Sequence, residues 1–171
     1  MTGAPMPFEQ PIATGRITVN ASPAAVYRIV SDPTVMITFA EEAYRARWLG
    51  RTTRAAVGAR FRGYNRKGRR RWFTNCTVTD VRENERFAYD VDTPFGLPIS
   101  RWQYDITPAE DGGGCTVTET NWLRVPPWFI PLAIALTGTA DRPAHNTRNI
   151  ATTLGRLKAH LEATHEDQPS T

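Results

Sequence analysis

The chain has 171 residues, of which 40% are hydrophobic and 22% are charged, and its formal net charge is +4. This length suits one domain with a substantial core and is short for two. Such a small charge does not indicate nucleic-acid binding, which usually concentrates basic residues on one reading element. We expect a single ligand-binding domain over residues 1–171, with flexible ends at residues 1–14 and 165–171.

Two helix-start signals follow the first predicted strand, Arg16–Asn20. Ser22 and Pro23 have the residue types of a helix cap and a first helical position. Asp32 and Pro33 repeat this signal ten residues later. The sequence therefore predicts one helix from Pro23 and a second short helix that ends near Phe39.

Residues 43–123 show strand-like runs separated by turns, without a convincing helix. Short connections indicate antiparallel neighbours, since parallel strands need long crossovers. The predicted strands are Ala43–Leu49, Ala59–Asn65, Arg71–Val81, Phe87–Val91, Arg101–Ile106 and Cys115–Leu123. A long helix from Ala144 to Ala163 must bury its apolar stripe on the sheet. We predict an α+β fold, in which a curved antiparallel sheet of about seven strands surrounds this helix.

Polar side chains occupy the apolar phase of two predicted strands. Glu119 and Asn121 alternate in step with Cys115 and Val117, and Asn65 shares the inward phase of its own strand. Alternate residues of a strand point to one side of the sheet, and a buried carboxylate without a partner is unfavourable. This placement predicts a cavity that holds water or a ligand.

Three segments carry a resemblance to a known family: Gly58-x-x-Phe61-x-Gly63-x-Asn65-x-x-Gly68-x-x-x-Trp72, Trp102-x-Tyr104, and Gly-Gly-x-Thr116-Val117-Thr118-Glu119. Together with the order of elements, they resemble the START/polyketide cyclase–dehydrase (SRPBCC) superfamily, which has the helix-grip fold, over roughly Arg16 to Leu161. The resemblance implies a hydrophobic ligand cavity between the sheet and the C-terminal helix. Members bind lipids, hormones or quinones or act as aromatase/cyclases, so the resemblance implies a fold rather than one activity.

Ten residues are candidates for contact with this ligand: Asn65, Trp72, Tyr89, Trp102, Tyr104, Glu119, Asn121, His145, Asn149 and Thr153. The aromatic side chains are either core or cavity wall. Glu119 is either a general acid or base with a raised pKa, or a carboxylate paired only to satisfy the sheet. Asn65 and Asn121 are either hydrogen-bonding partners of the ligand or residues that stabilise a local turn or bulge. His145 is either a capping or surface residue of the long helix or a residue of the ligand pocket.

Two further segments have surface character. Arg66–Arg71 is the densest basic run, which is typical of a solvated turn or of an anion-binding patch. Val125–Leu136 is apolar, and it is either a loop on the core or a lid that contacts membrane transiently through Trp128, Phe129 and Ile130. This segment is too short to span a bilayer, and no secretory signal precedes the domain, so we expect a cytoplasmic protein.

Binding of a hydrophobic small molecule (a lipid, an isoprenoid or a polyketide-like compound) is the leading hypothesis for function. The alternatives are a cyclase or dehydratase that uses the same cavity, and a membrane-interacting accessory protein that handles quinone or lipid. Cys76 and Cys115 lack the spacing and the histidine neighbours of a metal site. The sequence predicts neither a metal nor a cofactor, and it leaves the oligomeric state open.

Overall fold

A seven-stranded sheet and a long C-terminal helix dominate the structure, a computed structural model that describes residues 10–166. The elements are β1 Ala13–Val19, α1 Pro23–Val30, α2 Pro33–Met36, β2 Ala43–Leu49, β3 Arg60–Lys67, β4 Arg70–Arg82, β5 Arg86–Asp92, β6 Pro98–Pro108, β7 Cys115–Leu123, α3 Ile130–Thr137 and α4 Arg142–Glu166. A 3-10 turn at Pro127–Phe129 precedes α3.

The strand order is β1-β7-β6-β5-β4-β3-β2, and every neighbouring pair is antiparallel. β2 to β7 form the predicted meander, and β1 adds to its far side beside β7. Helix α4 packs along β1, which is one edge of the sheet. The predicted α+β helix-grip architecture is confirmed.

The two short helices begin where their capping residues predict. The Ser22 hydroxyl accepts a hydrogen bond from the Ala25 amide at 3.2 Å, and Asp32 accepts one from the Thr34 amide at 2.9 Å. Each cap is followed by a proline at the first helical position, where the missing N–H leaves no hydrogen bond unmade. Helix α2 ends at Met36, three residues before the predicted end at Phe39.

The apolar stripe of α4 lies on the sheet, as its three- and four-residue spacing predicts. Its four members are at most 5% exposed: Ile150, Leu154, Leu157 and Leu161. The helix lies close to β1 at Gly15, where an added Cβ would collide with the Cγ2 methyl of Ile150. A residue with a side chain at Gly15 would therefore push α4 away from the sheet.

The structure differs from the sequence-based prediction in two segments. β1 begins at Ala13, inside the segment expected to be flexible, because residues 13–19 pair in register with β7. The segment interpreted as a loop on the core or a lid contains helix α3, which its Pro131 and its lack of apolar periodicity hide in the sequence. Residues 1–9 and 167–171 of the expected flexible ends lie outside the described residues. Within residues 10–166, no helix is long and apolar enough to cross a membrane.

Candidate functional site

Glu119 and Tyr104 form a buried pair on the inward face of the sheet. The register of β6 and β7 sets them directly opposite each other, and the Tyr104 hydroxyl donates to Glu119 Oε1 at 2.8 Å. Their exposed fractions are 3% and 4%. The second carboxyl oxygen, Glu119 Oε2, is buried without a hydrogen-bond partner among the described residues. One acceptor of this carboxyl group is therefore satisfied and one polar atom is left over.

Burial raises the pKa of Glu119 from its ordinary value of 4.5 to about 8, although the Tyr104 hydrogen bond acts in the opposite direction. Burial also raises the pKa values of Tyr89 and Tyr104 well above the ordinary range, and both are raised further by the nearby Glu119 carboxylate. Glu119 therefore carries a proton at neutral pH, and the two phenols remain neutral. A neutral carboxyl group can donate a proton or a hydrogen bond to a ligand.

An aromatic wall continues from this pair across the inward face. Tyr89 and Trp102 are cross-strand neighbours, and Phe61 stands edge-on to Tyr89 with ring centroids 5.1 Å apart. Tyr89 and Trp102 are only half-buried, although the next residues on the same face of each strand are buried: Phe87, Val91, Ser100 and Tyr104. Trp72 and its cross-strand neighbour Asn65 are also half-buried, nearer the end of β3. This part of the inward face is therefore not completely covered.

Asn121 is fully buried, and both polar atoms of its amide group have a partner inside the protein. Its Nδ2 donates to the Arg101 carbonyl at 3.0 Å, and its Oδ1 accepts from Asn146 Nδ2 at 2.8 Å. These bonds tie β7 to β6 and to α4. These partners give Asn121 a packing role, while one amide hydrogen and one oxygen lone pair remain unused, so its predicted ligand contact stays a prediction.

A polar pocket of about 380 Å³ opens beside the first turns of α4. His145 and Asn149 line it together with residues of the β3–β4 hairpin, and His145 Nε2 lies 2.6 Å from Glu42 Oε1. Thr153 follows one helical turn later on the same side of α4 and is buried. These three helix positions lead from solvent toward the interior, although Glu119 does not line the pocket itself.

A second pocket, of about 440 Å³, lies at the opposite end of the sheet. Its walls come from α1, from the β2–β3 connection and from the β4–β5 turn. Trp48 lines it, and the Nε1 donor of Trp48 is buried without a partner among the described residues. None of the ten predicted ligand contacts lines this second pocket.

Three positions that matter here were not predicted. Glu42 contacts His145, and Asn146 donates a hydrogen bond to Asn121. Gly15 pairs with Glu119 across β1 and β7, and its missing side chain leaves room for Ile150. Only Gly15 carries a recognisable signal, since glycine inside a strand often marks a close approach. The two polar partners belong to a loop and to a helix face that no strand periodicity describes.

The predicted apolar segment divides into an exposed part and an anchor. Trp128 is 69% exposed and Ile130 is 36% exposed, whereas Phe129 is only 8% exposed. The rings of Trp128 and Phe129 meet edge-on with centroids 5.7 Å apart. The buried Phe129 side chain therefore fixes the segment to the protein, and the membrane contact of the three residues stays a prediction.

Comparison with known proteins identifies the class. A profile of the family described as "Polyketide cyclase / dehydrase and lipid transport" matches residues 10–162, so the chain belongs to this family. No curated protein sequence matches the chain. Family membership and the buried pair on the inward face are consistent with binding of a hydrophobic ligand or with a cyclase role.

Solved structures share the fold at low sequence identity. The polyketide-cyclase-like protein Cgl2372 of Corynebacterium glutamicum is 24% identical with a TM-score of 0.60, and the match covers 95% of this chain and 99% of that chain. The di-domain ARO/CYC StfQ of the steffimycin biosynthetic pathway is 14% identical with a TM-score of 0.67, covering 90% and 51%. The Deinococcus radiodurans protein DR_A0006 is 14% identical with a TM-score of 0.64, covering 89% and 97%.

Proposed function

We propose that the protein binds a hydrophobic small molecule, of lipid, isoprenoid or polyketide type, against the inward face of the sheet beneath α4. The observation that carries this proposal is Glu119 Oε2, a buried polar atom without a partner among the described residues. A buried polar group left unsatisfied is unfavourable by about 1–3 kcal/mol. A ligand hydroxyl or carbonyl at this position would remove that penalty.

The half-buried aromatic residues supply the apolar part of the proposed site. Tyr89, Trp102 and Trp72 keep accessible surface on a face that otherwise forms the core. Large flat side chains of this kind contribute much of the contact area in small-molecule sites. The ligand body would rest on this wall, and its polar end would meet Glu119.

Entry is proposed through the polar pocket at the first turns of α4. His145 and Asn149 line that pocket, and Thr153 continues the same side of the helix inward. Asn65 lies near the end of β3 and precedes Arg66, which lines the pocket. The ligand would move past these pocket and helix residues on its way in, and the Glu119–Tyr104 pair would then bind its polar end.

A cyclase or dehydratase activity is the second candidate, and the raised pKa of Glu119 favours it. A carboxyl group that is half-ionised near pH 8 can give and take a proton close to neutral pH. Tyr104 donates to the same group and would orient it. In a dehydration Glu119 would protonate the leaving hydroxyl, which departs as water, and the resulting carboxylate would take the proton that the neighbouring carbon loses as the C=C bond forms.

Fluorescence titration with cis-parinaric acid tests the binding proposal. Replacing Glu119 by Leu removes the unsatisfied atom but also leaves the Tyr104 hydroxyl without its acceptor, so we expect stability to change by about 1 kcal/mol or less and affinity for the probe to fall about tenfold. Glu85→Leu at the exposed β4–β5 turn is the matched control and should keep wild-type affinity. Unchanged affinity in Glu119→Leu, together with lost stability, would make Glu119 a structural residue.

Native mass spectrometry of the purified protein then identifies any ligand that copurifies. The enzymatic candidate is tested separately with a linear poly-β-ketone thioester, whose cyclised or dehydrated products are measured by mass. Wild-type turnover that is lost in both Glu119→Gln and Tyr104→Phe supports catalysis. Probe binding without any turnover leaves a carrier as the function.

A further inference from the structure

Exposed apolar side chains are concentrated at one end of the sheet. The β3–β4 and β5–β6 turns and the exit from β7 all lie at this end, because the strands are antiparallel. Five of the eight large hydrophobic residues exposed in the described chain belong to it: Phe95 at 92%, Trp128 at 69%, Ile130 at 36%, Leu132 at 52% and Leu136 at 55%. We call these five residues the apolar rim.

Helix α3 forms most of this rim and has no buried residue. Seven of its eight residues are apolar, so it has no polar side to face water. A helix that is apolar all round is normally covered by other protein or by lipid. The apolar surface of α3 is therefore left exposed to solvent in the isolated chain.

The rim is held in place by specific contacts. The loop that carries Phe95 is closed by hydrogen bonds from the Thr93 amide to the Leu97 carbonyl at 2.8 Å and from the Leu97 amide to the Thr93 hydroxyl at 2.9 Å. Phe129 anchors the start of α3 in the protein. The exposed side chains thus belong to structured segments, and their exposure is a property of the fold.

A basic hairpin tip adjoins the rim. Five of the six residues from Arg66 to Arg71 are basic and none is acidic. The tip touches the segment after α3, since Lys67 Nζ donates to the Thr139 hydroxyl at 2.6 Å and the Arg70 guanidinium lies over Gly138. Cationic and apolar side chains therefore share one surface, as they do in proteins that bind anionic bilayers.

We propose that the apolar rim and the basic hairpin tip together form a docking surface for an anionic lipid bilayer. Helix α3 contacts β4 on one side, where Ala133 and Ile134 are half-buried, and the headgroup and acyl boundary of a bilayer can cover its other apolar sides and the basic tip together. Trp128 suits that boundary, where indole rings accumulate. The arginines of the tip would lie among anionic headgroups, each contributing roughly 1 kcal/mol at low salt.

Docking in this way would orient the protein. The polar pocket lined by His145 and Asn149 lies at the same end as the rim, since it also includes Arg66 and Arg71 of the hairpin. This polar pocket would then face the bilayer, and an apolar ligand could pass from the bilayer into the protein without crossing bulk water. The docking surface itself stands without the proposed ligand, because none of its evidence comes from the interior.

Co-sedimentation of the full chain with vesicles tests the proposal. Vesicles of about 30% phosphatidylglycerol in phosphatidylcholine should bind the protein, and pure phosphatidylcholine or added salt should weaken binding at least tenfold. Leu132→Ser/Leu136→Ser should lower partitioning about tenfold, and so should Arg69→Glu/Arg71→Glu. These are exposed side chains, so the variants should keep the wild-type melting temperature.

Matched controls come from the opposite end of the sheet. Val57→Ser removes a residue that is 67% exposed, and Arg51→Glu/Arg54→Glu makes the same change in net charge. Both should bind vesicles like wild type. Absent binding to anionic vesicles, or equal losses in the rim and control variants, would overturn the proposal. So would a wild-type dimer in light scattering that Leu132→Ser/Leu136→Ser dissociates, because the rim would then be a contact between copies of the chain.

Discussion

Two opposing effects act on the carboxyl group of Glu119. Burial favours its neutral form, and the Tyr104 hydroxyl favours its charged form, with burial the larger effect. The phase of β7 predicts that Glu119 points inward. Its partner could not be predicted from that phase, since the register between β6 and β7 places Tyr104 opposite it. Asn121 shows the same limit, because its partner Asn146 comes from a helix.

The raised pKa of Glu119 predicts a pH-dependent stability. The unfolded chain releases this proton near pH 4.5, whereas the folded protein keeps it up to about pH 8. The contribution of Glu119 to the free energy of unfolding therefore falls as the pH rises between these values, by up to about 1.4 kcal/mol per unit, and is flat below them.

Urea unfolding at about pH 5 and pH 8 checks this, with Glu119→Gln as the reference because it cannot ionise. We expect wild type to lose roughly 2–4 kcal/mol more than the variant across this interval. Parallel pH profiles for the two proteins would mean that Glu119 titrates normally in the folded state.

At the scale of single elements, strand bounds are the best predicted and apolar connections the worst. β2 and β7 have the predicted bounds, because turn residues and alternation delimit them. Helix α3 was missed because prolines precede it and its residues are apolar on all sides. The 3.6-residue periodicity that reveals α4 arises only when a helix has one solvent-exposed face and one buried face.

The contact of α4 with β1 predicts a strong effect of a small substitution. Gly15→Ala places a methyl group against Ile150 Cγ2, so we expect a loss of about 1–3 kcal/mol in the free energy of unfolding. Gly155→Ala is the matched control, because its Cβ would meet nothing within 4 Å and alanine favours a helix. Urea titrations should show the control to be neutral or stabilising.

A second variant separates crowding from other causes. Ile150→Leu removes the branched methyl group that collides with the new Cβ, so it should recover part of the stability lost in Gly15→Ala. If the two losses simply add, the strain at Gly15 does not come from Ile150.

At the scale of the whole molecule, α4 connects the two edges of the sheet. Lys158 donates to the Thr18 carbonyl at 2.8 Å, and Glu162 accepts from the Asn20 amide at 3.0 Å, one residue after β1. Near its other end, His145 meets Glu42, one residue before β2. Neither edge assignment could be predicted from helix periodicity, which identifies the buried face of α4 but not the strands that it reaches.

This arrangement predicts that Glu42 controls access to the interior. Glu42→Ala removes the partner of both His145 and Arg142, so the first turns of α4 should separate from the β2 edge more often. We expect stopped-flow association of cis-parinaric acid to accelerate severalfold, with about 1 kcal/mol lost in stability. Glu162→Ala breaks the contacts at the other end of α4 and should leave association unchanged. Equal acceleration by both variants would show that the contacts of Glu42 beside the polar pocket do not control entry of the probe.

The two buried thiols give this protein an internal chemical reporter. Cys76 lies on β4 and Cys115 begins β7, and both are free; burial raises the pKa of Cys76 to about 12 and also raises that of Cys115. Neither sulfur can react as a thiolate with an alkylating reagent until the structure around it opens. The alkylation rates of Cys76 and Cys115 therefore measure how often each part of the sheet opens, without an added label. A bound ligand or bilayer that restrains one part would slow its cysteine selectively, and a mass spectrum would show which one.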